Sequence, residues 1–115
     1  MRMSVPELVD RYTILYLKQE NKIDVKEQLI KFRHEVQFKA KVDPKLVDRL
    51  YKVNRKMWAI EEWAESGVSL RVMGLLFKRQ RMLNKKRVAI KNEIAKQHGE
   101  IIEKKSYDGS SNNLS

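Results

Sequence analysis

The sequence predicts an all-α fold, an elongated bundle of three to four helices that includes a long antiparallel helical hairpin and ends in a polar C-terminal tail. Three observations carry that expectation. Helix breakers are scarce, with four glycines and two prolines in 115 residues. Apolar side chains recur at three- and four-residue steps, and no window alternates for long with the period of two that a strand requires. Capping residues and glycines fall where such helices should begin and end. A chain of this length supports one core that buries roughly two-thirds of its unfolded surface. The expected organisation is a helical domain over 1–99 and a polar tail over 100–115, whose residues from Asp108 to Ser115 carry little apolar surface to bury.

Each helix has its own start signal. Ser4 can cap the first helix, with Glu7 three residues on to complete a capping box, and the helix should run to about Lys22. Leu8, Tyr12, Leu15 and Tyr16 lie on one side, with Ile14 and Leu17 on others, so most of its circumference should be buried. Asp10, Arg11, Thr13 and Lys18 must then fit into the remaining gaps. Asp10 and Lys18 become candidates for a polar cluster, with pairing at the helix ends as the plainer alternative. Asp24 and Glu27 repeat the capping arrangement and predict a second helix from near Val25 to Lys39, whose continuity with the first is left open. Asp43 before Pro44 is a strong start, because proline is pre-organised for the first helical position. The third helix is expected over about 44–65, with Leu46, Leu50, Val53, Met57, Ile60 and Ala64 as its seam. Gly67 stops it. Ser69 can cap a fourth helix that closes at His98 and Gly99, and the short Ser66–Val68 loop makes the last two helices an antiparallel pair. Gly74 inside the fourth helix costs about 1 kcal/mol relative to alanine, and marks either a close helix approach or nothing.

That fourth helix is the most informative segment. At about 100° per residue, Val72, Met73, Leu76, Phe77, Leu83, Val88, Ile90, Ile94 and Ala95 fall in an arc of roughly 160°, and Gln80, Asn84, Arg87 and Lys91 lie inside it. Unpaired polar groups in a core cost about 1–3 kcal/mol each, and charges more. Either they meet partners across the bundle or they bind something. Asn54 and Glu61, seven residues apart on one flank of the third helix, can supply partners, for example Glu61 to Arg87, in a network that fixes register. Alternatively Arg87, Lys91 and Gln80, with Lys18 from the first helix, line a pocket for a carboxylate or phosphate, which arginine grips in bidentate fashion. Both readings remain open at this stage.

The formal net charge is +10, and residues 69–99 alone carry +8, nine Lys and Arg against Glu93. Arg71, Lys78, Arg79, Arg81, Lys85, Lys86 and Lys96 spread over the side opposite the apolar arc, where they should project a positive field towards an anionic partner or simply solvate the helix. The absence of cysteine removes disulfides and thiolate chemistry. His34 and His98 have no second ligand at metal spacing, so neither a metal nor a cofactor is expected. Glu61, Glu62 and Glu65 resemble the acidic helices of all-α nucleotide pyrophosphatases, but the facing acidic pair is missing, since Glu93 stands alone among lysines. No glycine-rich phosphate loop or nucleophile–histidine pair occurs. The N-terminus lacks an apolar signal region, and the longest apolar run, Val72 to Phe77, is far short of the about 20 residues of a membrane span, so the expected location is cytoplasmic. Trp58 and Trp63 lie about 140° apart on the third helix, which should turn one of them outward, towards an interface or under the second helix.

Four stretches carry a resemblance: Val5 to Lys18 (VPELVDRYTILYLK), Val53 to Glu62 (VNRKMWAIEE), Asn84 to Ile94 (NKKRVAIKNEI) and Glu103 to Tyr107 (EKKSY). Together they are similar, in order and over nearly the whole chain, to an uncharacterised family of short bacterial proteins whose first motif reads Glu-Leu-(Ile/Val)-Asp-(Lys/Arg)-x-Thr-Ile-Leu-x-(Ile/Leu)-Lys. Here that motif falls on Glu7, Leu8, Val9, Asp10, Arg11, Thr13, Ile14, Leu15, Leu17 and Lys18. Asn54, Trp58, Glu61, Asn84, Arg87, Lys91, Ser106 and Tyr107 occupy further family-typical positions. Glu62 stands where aspartate is common, and the basic residues of the fourth helix exceed the family pattern. The resemblance implies a helical fold and no defined activity, with frequent association to sugar-transfer and surface-polysaccharide genes.

Three functional expectations follow. The first is a small non-enzymatic binding or accessory protein that docks an anionic or protein partner, mainly through the basic last helix. The second is an all-α enzyme or small-ligand binder with an anion site between helices, Glu61 or Asp10 acting as acid or base. The third is sequence-independent binding to nucleic-acid phosphates, for which a pI near 9.9 is suggestive but for which the basic face lacks an aromatic platform. Self-association into a homo-oligomer is compatible with all three.

Overall fold

The computed structural model describes residues 3–100, and within them every regular element is helical. Helix α1 spans Val5–Glu20, α2 spans Lys26–His34 and continues as a π-helical turn over Glu35–Lys39, α3 spans Pro44–Glu65, and α4 spans Leu70–Gln97. The all-α bundle with its long antiparallel hairpin is therefore as the periodicity requires. The expected capping signals are mostly realised: Ser4 Oγ accepts from the Glu7 amide at 3.3 Å, Asp43 caps α3 through the Lys45 amide at 2.9 Å, and Ser69 caps α4 through the Val72 amide at 3.3 Å. Gly67 and Gly99 take positive φ at the two C-terminal ends, where only glycine is unstrained.

Two boundaries differ from the sequence expectation. α1 stops at Glu20, two residues early, and is separated from α2 by a turn in which Lys22 has φ of 65°. Asp24 meets the Lys26 amide at 3.3 Å, but without the reciprocal bond of a capping box. Glu100, placed in the tail by composition, belongs to the fold: its carboxylate accepts from the Val5 amide at 2.9 and 3.2 Å. An anion there satisfies an otherwise orphaned N–H and complements the positive end of α1. The remainder of the predicted tail, 101–115, lies outside the described residues.

Helices α3 and α4 run antiparallel, tied by Arg49 to Glu93 at 3.2 Å near one end and by Gln80 Nε2 to the Met57 carbonyl at 3.2 Å further along. α1 crosses the lower part of this hairpin diagonally. It starts beside Glu100, passes Arg87 and Asn54 at Asp10, and ends against Tyr51 on the early part of α3, where Tyr51 donates to Glu20 at 2.6 Å. α2 and the π turn pack on α1 and make no comparable contact with the hairpin.

The core is accordingly divided. A larger apolar cluster joins Leu8, Val9 and Tyr12 of α1 to Val36, Leu46, Leu50, Ile90 and Ile94. A smaller one, Ile60, Leu76 and Leu83 with Val53, Met57, Ala64, Val68 and Val72 around it, is built by the hairpin alone. The distal end of the hairpin therefore projects past α1, and two members of the predicted apolar arc, Met73 and Phe77, are exposed there together with Leu70. The arc was assigned as though a neighbour covered its whole length, and α1 covers only part of it. Gly74 meets nothing within 4 Å of an added Cβ, so it marks no close helix approach. Replacing Gly74 with Ala should stabilise the protein by about 0.5–1 kcal/mol, from helix propensity alone, measured as a raised urea midpoint with unchanged slope.

Candidate functional site

Of the polar residues that interrupt the apolar arc, Arg87 meets Asp10 and Asn84 is joined to it through Arg87. The Asp10 side chain, on α1, faces the groove between α3 and α4, and the residue is only 1 % exposed. Arg87 Nε donates to Asp10 Oδ1 at 3.0 Å while its Nη2 donates to Oδ2, so the guanidinium grips the carboxylate with two bonds. Asn54 Nδ2, from α3, donates to Asp10 Oδ1 at 2.9 Å and to Thr13 Oγ1 at 2.8 Å. Thr13 in turn donates to the Asp10 carbonyl at 2.8 Å, and Arg87 Nη1 donates to Asn84 Oδ1 at 3.2 Å. One turn along the hairpin, the buried Lys91 ammonium donates to Glu7 Oε1 at 3.1 Å. Glu7 also meets Arg11 at 3.5 Å.

Burial by itself would push the Asp10 pKa up, because a low-dielectric surrounding disfavours the anion. The hydrogen bonds from Arg87 and Asn54 and the positive charges of Arg87 and Lys91 outweigh it, and the carboxyl is held below its ordinary value of 3.8. The charged form is the stable one. Chemically this is an internally paired ionic network: the acid is deprotonated and accepts three hydrogen bonds, from Arg87 and Asn54, and Arg87 and Lys91 are paired with carboxylates of the same chain.

No protein family, curated protein or solved structure matches the chain. The roles of these residues are therefore read from their geometry.

Of the residues singled out in the sequence, Asp10, Asn54, Asn84 and Arg87 meet in one cluster, with Lys91 beside it. Gln80 bonds within the hairpin to Met57, and its Oε1 is buried without a protein partner. Lys18 is half-buried and lines a cleft of about 380 Å³ beside α1, onto which the network's own Glu7, Asp10 and Arg87 also open, with Arg11 and Gln28. It does not join the network. Glu61 is a correction: it is exposed on α3, beyond the reach of Arg87, whose partner is Asp10. The example pairing went to the wrong helix because the flank of α3 was matched to α4 while α1 was assigned its charges at helix ends. Glu7 was read only as a cap, and the signal for its second role was present: acids three apart on α1 face cations four apart on the antiparallel α4. Among the described residues no three acidic or histidine side chains gather as a metal would need, and no helix is long and apolar enough to cross a membrane.

Arg71, Lys78, Arg79, Arg81, Lys85, Lys86 and Lys96 are all exposed. Phe77, assigned to the core and excluded from the basic face, is instead 68 % exposed and sits one turn from Arg81. Trp63 is the outward tryptophan, at 57 % exposure.

Removing Arg87 strands a buried carboxylate, so Arg87→Leu should cost about 3 kcal/mol, and the double change with Asp10→Asn should recover part of that loss in urea unfolding. The pH dependence has a defined sign. Because the folded-state pKa of Asp10 lies below its unfolded value, the unfolded chain binds the extra proton, so this contribution is complete above about pH 4 and is lost as the pH falls through the lower folded value. The acid limb of the stability profile should flatten in Asp10→Asn, as followed by circular dichroism.

Proposed function

We propose that this chain is a small non-enzymatic binding protein that docks an anionic protein partner through the exposed length of α4. The observation that carries the reading is a row of side chains on that helix. Met73, Phe77, Asn84 and Lys91 follow one another at steps of four, seven and seven, which keeps them on one face. Lower on that row α1 is the neighbour, through Lys91 and Glu7. Higher up, Phe77 and Met73, with Leu70 at 91 % exposure, have no covering element among the described residues. Arg81, one turn beyond Phe77, borders the strip, and the exposed Lys85 and Lys78 lie further round the helix. An apolar strip with a basic border suits an amphipathic helix that carries acidic residues along one edge, with the surplus charge steering its approach.

The pairing around Asp10 supports this reading over an anion site between the helices, since Arg87 and Lys91 already hold carboxylates of the chain itself. A nucleic-acid role draws less support, because Phe77 is a lone ring among aliphatic neighbours and base stacking uses several. The shared polar positions Asp10, Asn54, Asn84 and Arg87 build the network, which supports placing the chain with the short helical bacterial family whose motifs it resembles.

A photo-crosslinking residue at position 77 should trap a discrete acidic protein in cells. Reversing Lys78, Arg81, Lys85 and Lys86 to Glu should cut that capture at least about tenfold at low salt, as expected for a field-steered contact, without lowering the unfolding temperature. Undiminished capture by the reversed protein overturns the proposal, and nucleic acid recovered in place of protein selects the other partner class.

A further inference from the structure

On the side of α1 away from the polar network, a cavity of about 330 Å³ opens between α1, the π turn and the start of α3. Its chemistry runs against the rest of the molecule. Three tyrosines line it, Tyr12, Tyr16 and Tyr51, together with two carboxylates, Glu20 and Asp48, while no lysine or arginine of this strongly basic protein is among the lining residues. Val36 and Val42, both buried, form an apolar floor.

The rings are ordered. Tyr12 and Tyr16 meet edge to face with centroids 6.5 Å apart, and Tyr16 and Tyr51 do the same at 5.5 Å. Such packing fixes ring orientation, and an aromatic ring carries negative π density on its faces. The Tyr51 hydroxyl donates to Glu20 at 2.6 Å, which anchors that carboxylate at the mouth of the cavity. This bond, more than partial burial, raises the Tyr51 pKa, so the phenol stays protonated and continues to hold Glu20. Arg55 already lies over the Tyr51 ring, its guanidinium carbon 5.6 Å from the centroid, and Lys52 pairs with Asp48 at 3.0 Å. Both are exposed one helical turn from their partners, so two cations of α3 already neighbour residues that line the cavity.

The wall opposite α1 depends on a local irregularity. Over Glu35–Lys39 the chain winds as a π turn, with the Ala40 amide bonded to the Glu35 carbonyl at 2.8 Å, and this sets Val36 into the floor and Gln37 along the wall. Lys41, with φ of 52°, then redirects the chain so that the Val42 amide bonds the Val36 carbonyl at 3.1 Å. π turns recur at functional sites because an extra residue reorients side chains that an α-helix would point elsewhere.

We infer that this cavity binds a small organic ammonium ion carrying a short apolar body. The charged head meets tyrosine faces and the Glu20 carboxylate, and the body rests on Val36 and Val42. A cation against aromatic rings gains electrostatically from the ring quadrupole, more so where it is partly desolvated, and the space suits a head group with a few carbons.

The test titrates the whole protein with choline and, in parallel, with its uncharged carbon isostere, in which a tert-butyl group replaces the trimethylammonium. Tyrosine ring resonances are followed by NMR and affinity by calorimetry. Choline should shift the Tyr16 and Tyr51 rings saturably and bind at least about tenfold more tightly than the isostere. Tyr16, at 39 % exposure, and the exposed Glu20 both lie outside the buried core. Tyr16→Leu and Glu20→Gln should each weaken choline about tenfold, whereas Lys18→Ala, on the opposite cleft, should leave it unchanged. Equal affinity for the isostere overturns recognition of the charge. Saturable shifts with neither compound, or an effect of Lys18→Ala as large as that of Glu20→Gln, overturn the site itself.

Discussion

One buried carboxylate holds the three longest helices in register. Asp10 reaches from α1 into the groove between α3 and α4 and is bonded from each of them, by Asn54 on one side and Arg87 on the other. Apolar seams tolerate sliding, because one aliphatic side chain replaces another at modest cost. A buried charge does not, since a slip of one turn leaves both the carboxylate and the guanidinium without partners. The network thus adds specificity of pairing to a core whose hydrophobic residues supply most of the attraction. Its position matters as much as its chemistry: it stands at the boundary between the apolar cluster that α1 helps to build and the one the hairpin builds alone.

That boundary divides the molecule into two mechanical parts. Below it, α1, α2 and the hairpin base share a core that includes Val9, Leu50 and Ile94, all of them fully buried. Above it, the hairpin is a two-helix zipper with three buried apolar residues, Ile60, Leu76 and Leu83. Two helices alone cover each other on one face only, so the other faces must meet water or a partner. The apolar side chains left outside there, among them Leu70, Leu75, Phe77 and Met82, are more than such a small element needs for its own fold. Local opening should also be easiest at this end, where few apolar contacts resist it, and an element that can adjust its side chains is suited to accommodating an incoming helix.

The fold was legible because each helix carries its own punctuation. Ser4, Asp43 and Ser69 at the starts and Gly67 and Gly99 at the ends are local signals, and local signals survive translation into three dimensions. The polar cluster was legible in part. The intrusion of Asn84, Arg87 and Lys91 into an apolar arc announced that partners must exist, and Asp10 and Asn54 were identifiable as polar residues on otherwise apolar surfaces. Which of them pair was not legible, because that depends on the diagonal crossing of α1, a tertiary fact with no one-dimensional signature. The same crossing explains why Met73 and Phe77 were placed in the core: periodicity identifies an apolar face, but not how far a neighbouring helix extends along it. The π turn at Glu35–Lys39 left no mark on the apolar spacing, and with it the aromatic cavity went unseen.

Thr13 connects the two sides of α1. Its hydroxyl donates to the Asp10 carbonyl and accepts from Asn54, and the same residue forms part of the back wall of the tyrosine-lined cavity. The cavity is thus backed by a fully bonded network and not by loosely packed side chains, which fixes the position of α1 relative to α3 and, with it, the distance between Tyr16 and Tyr51. Preorganisation of this kind spares a ligand the entropy of ordering its own site. Thr13 is thereby common to the network and to the wall of the cavity. Asp10 therefore acts on the cavity at one remove, by determining where α1 lies.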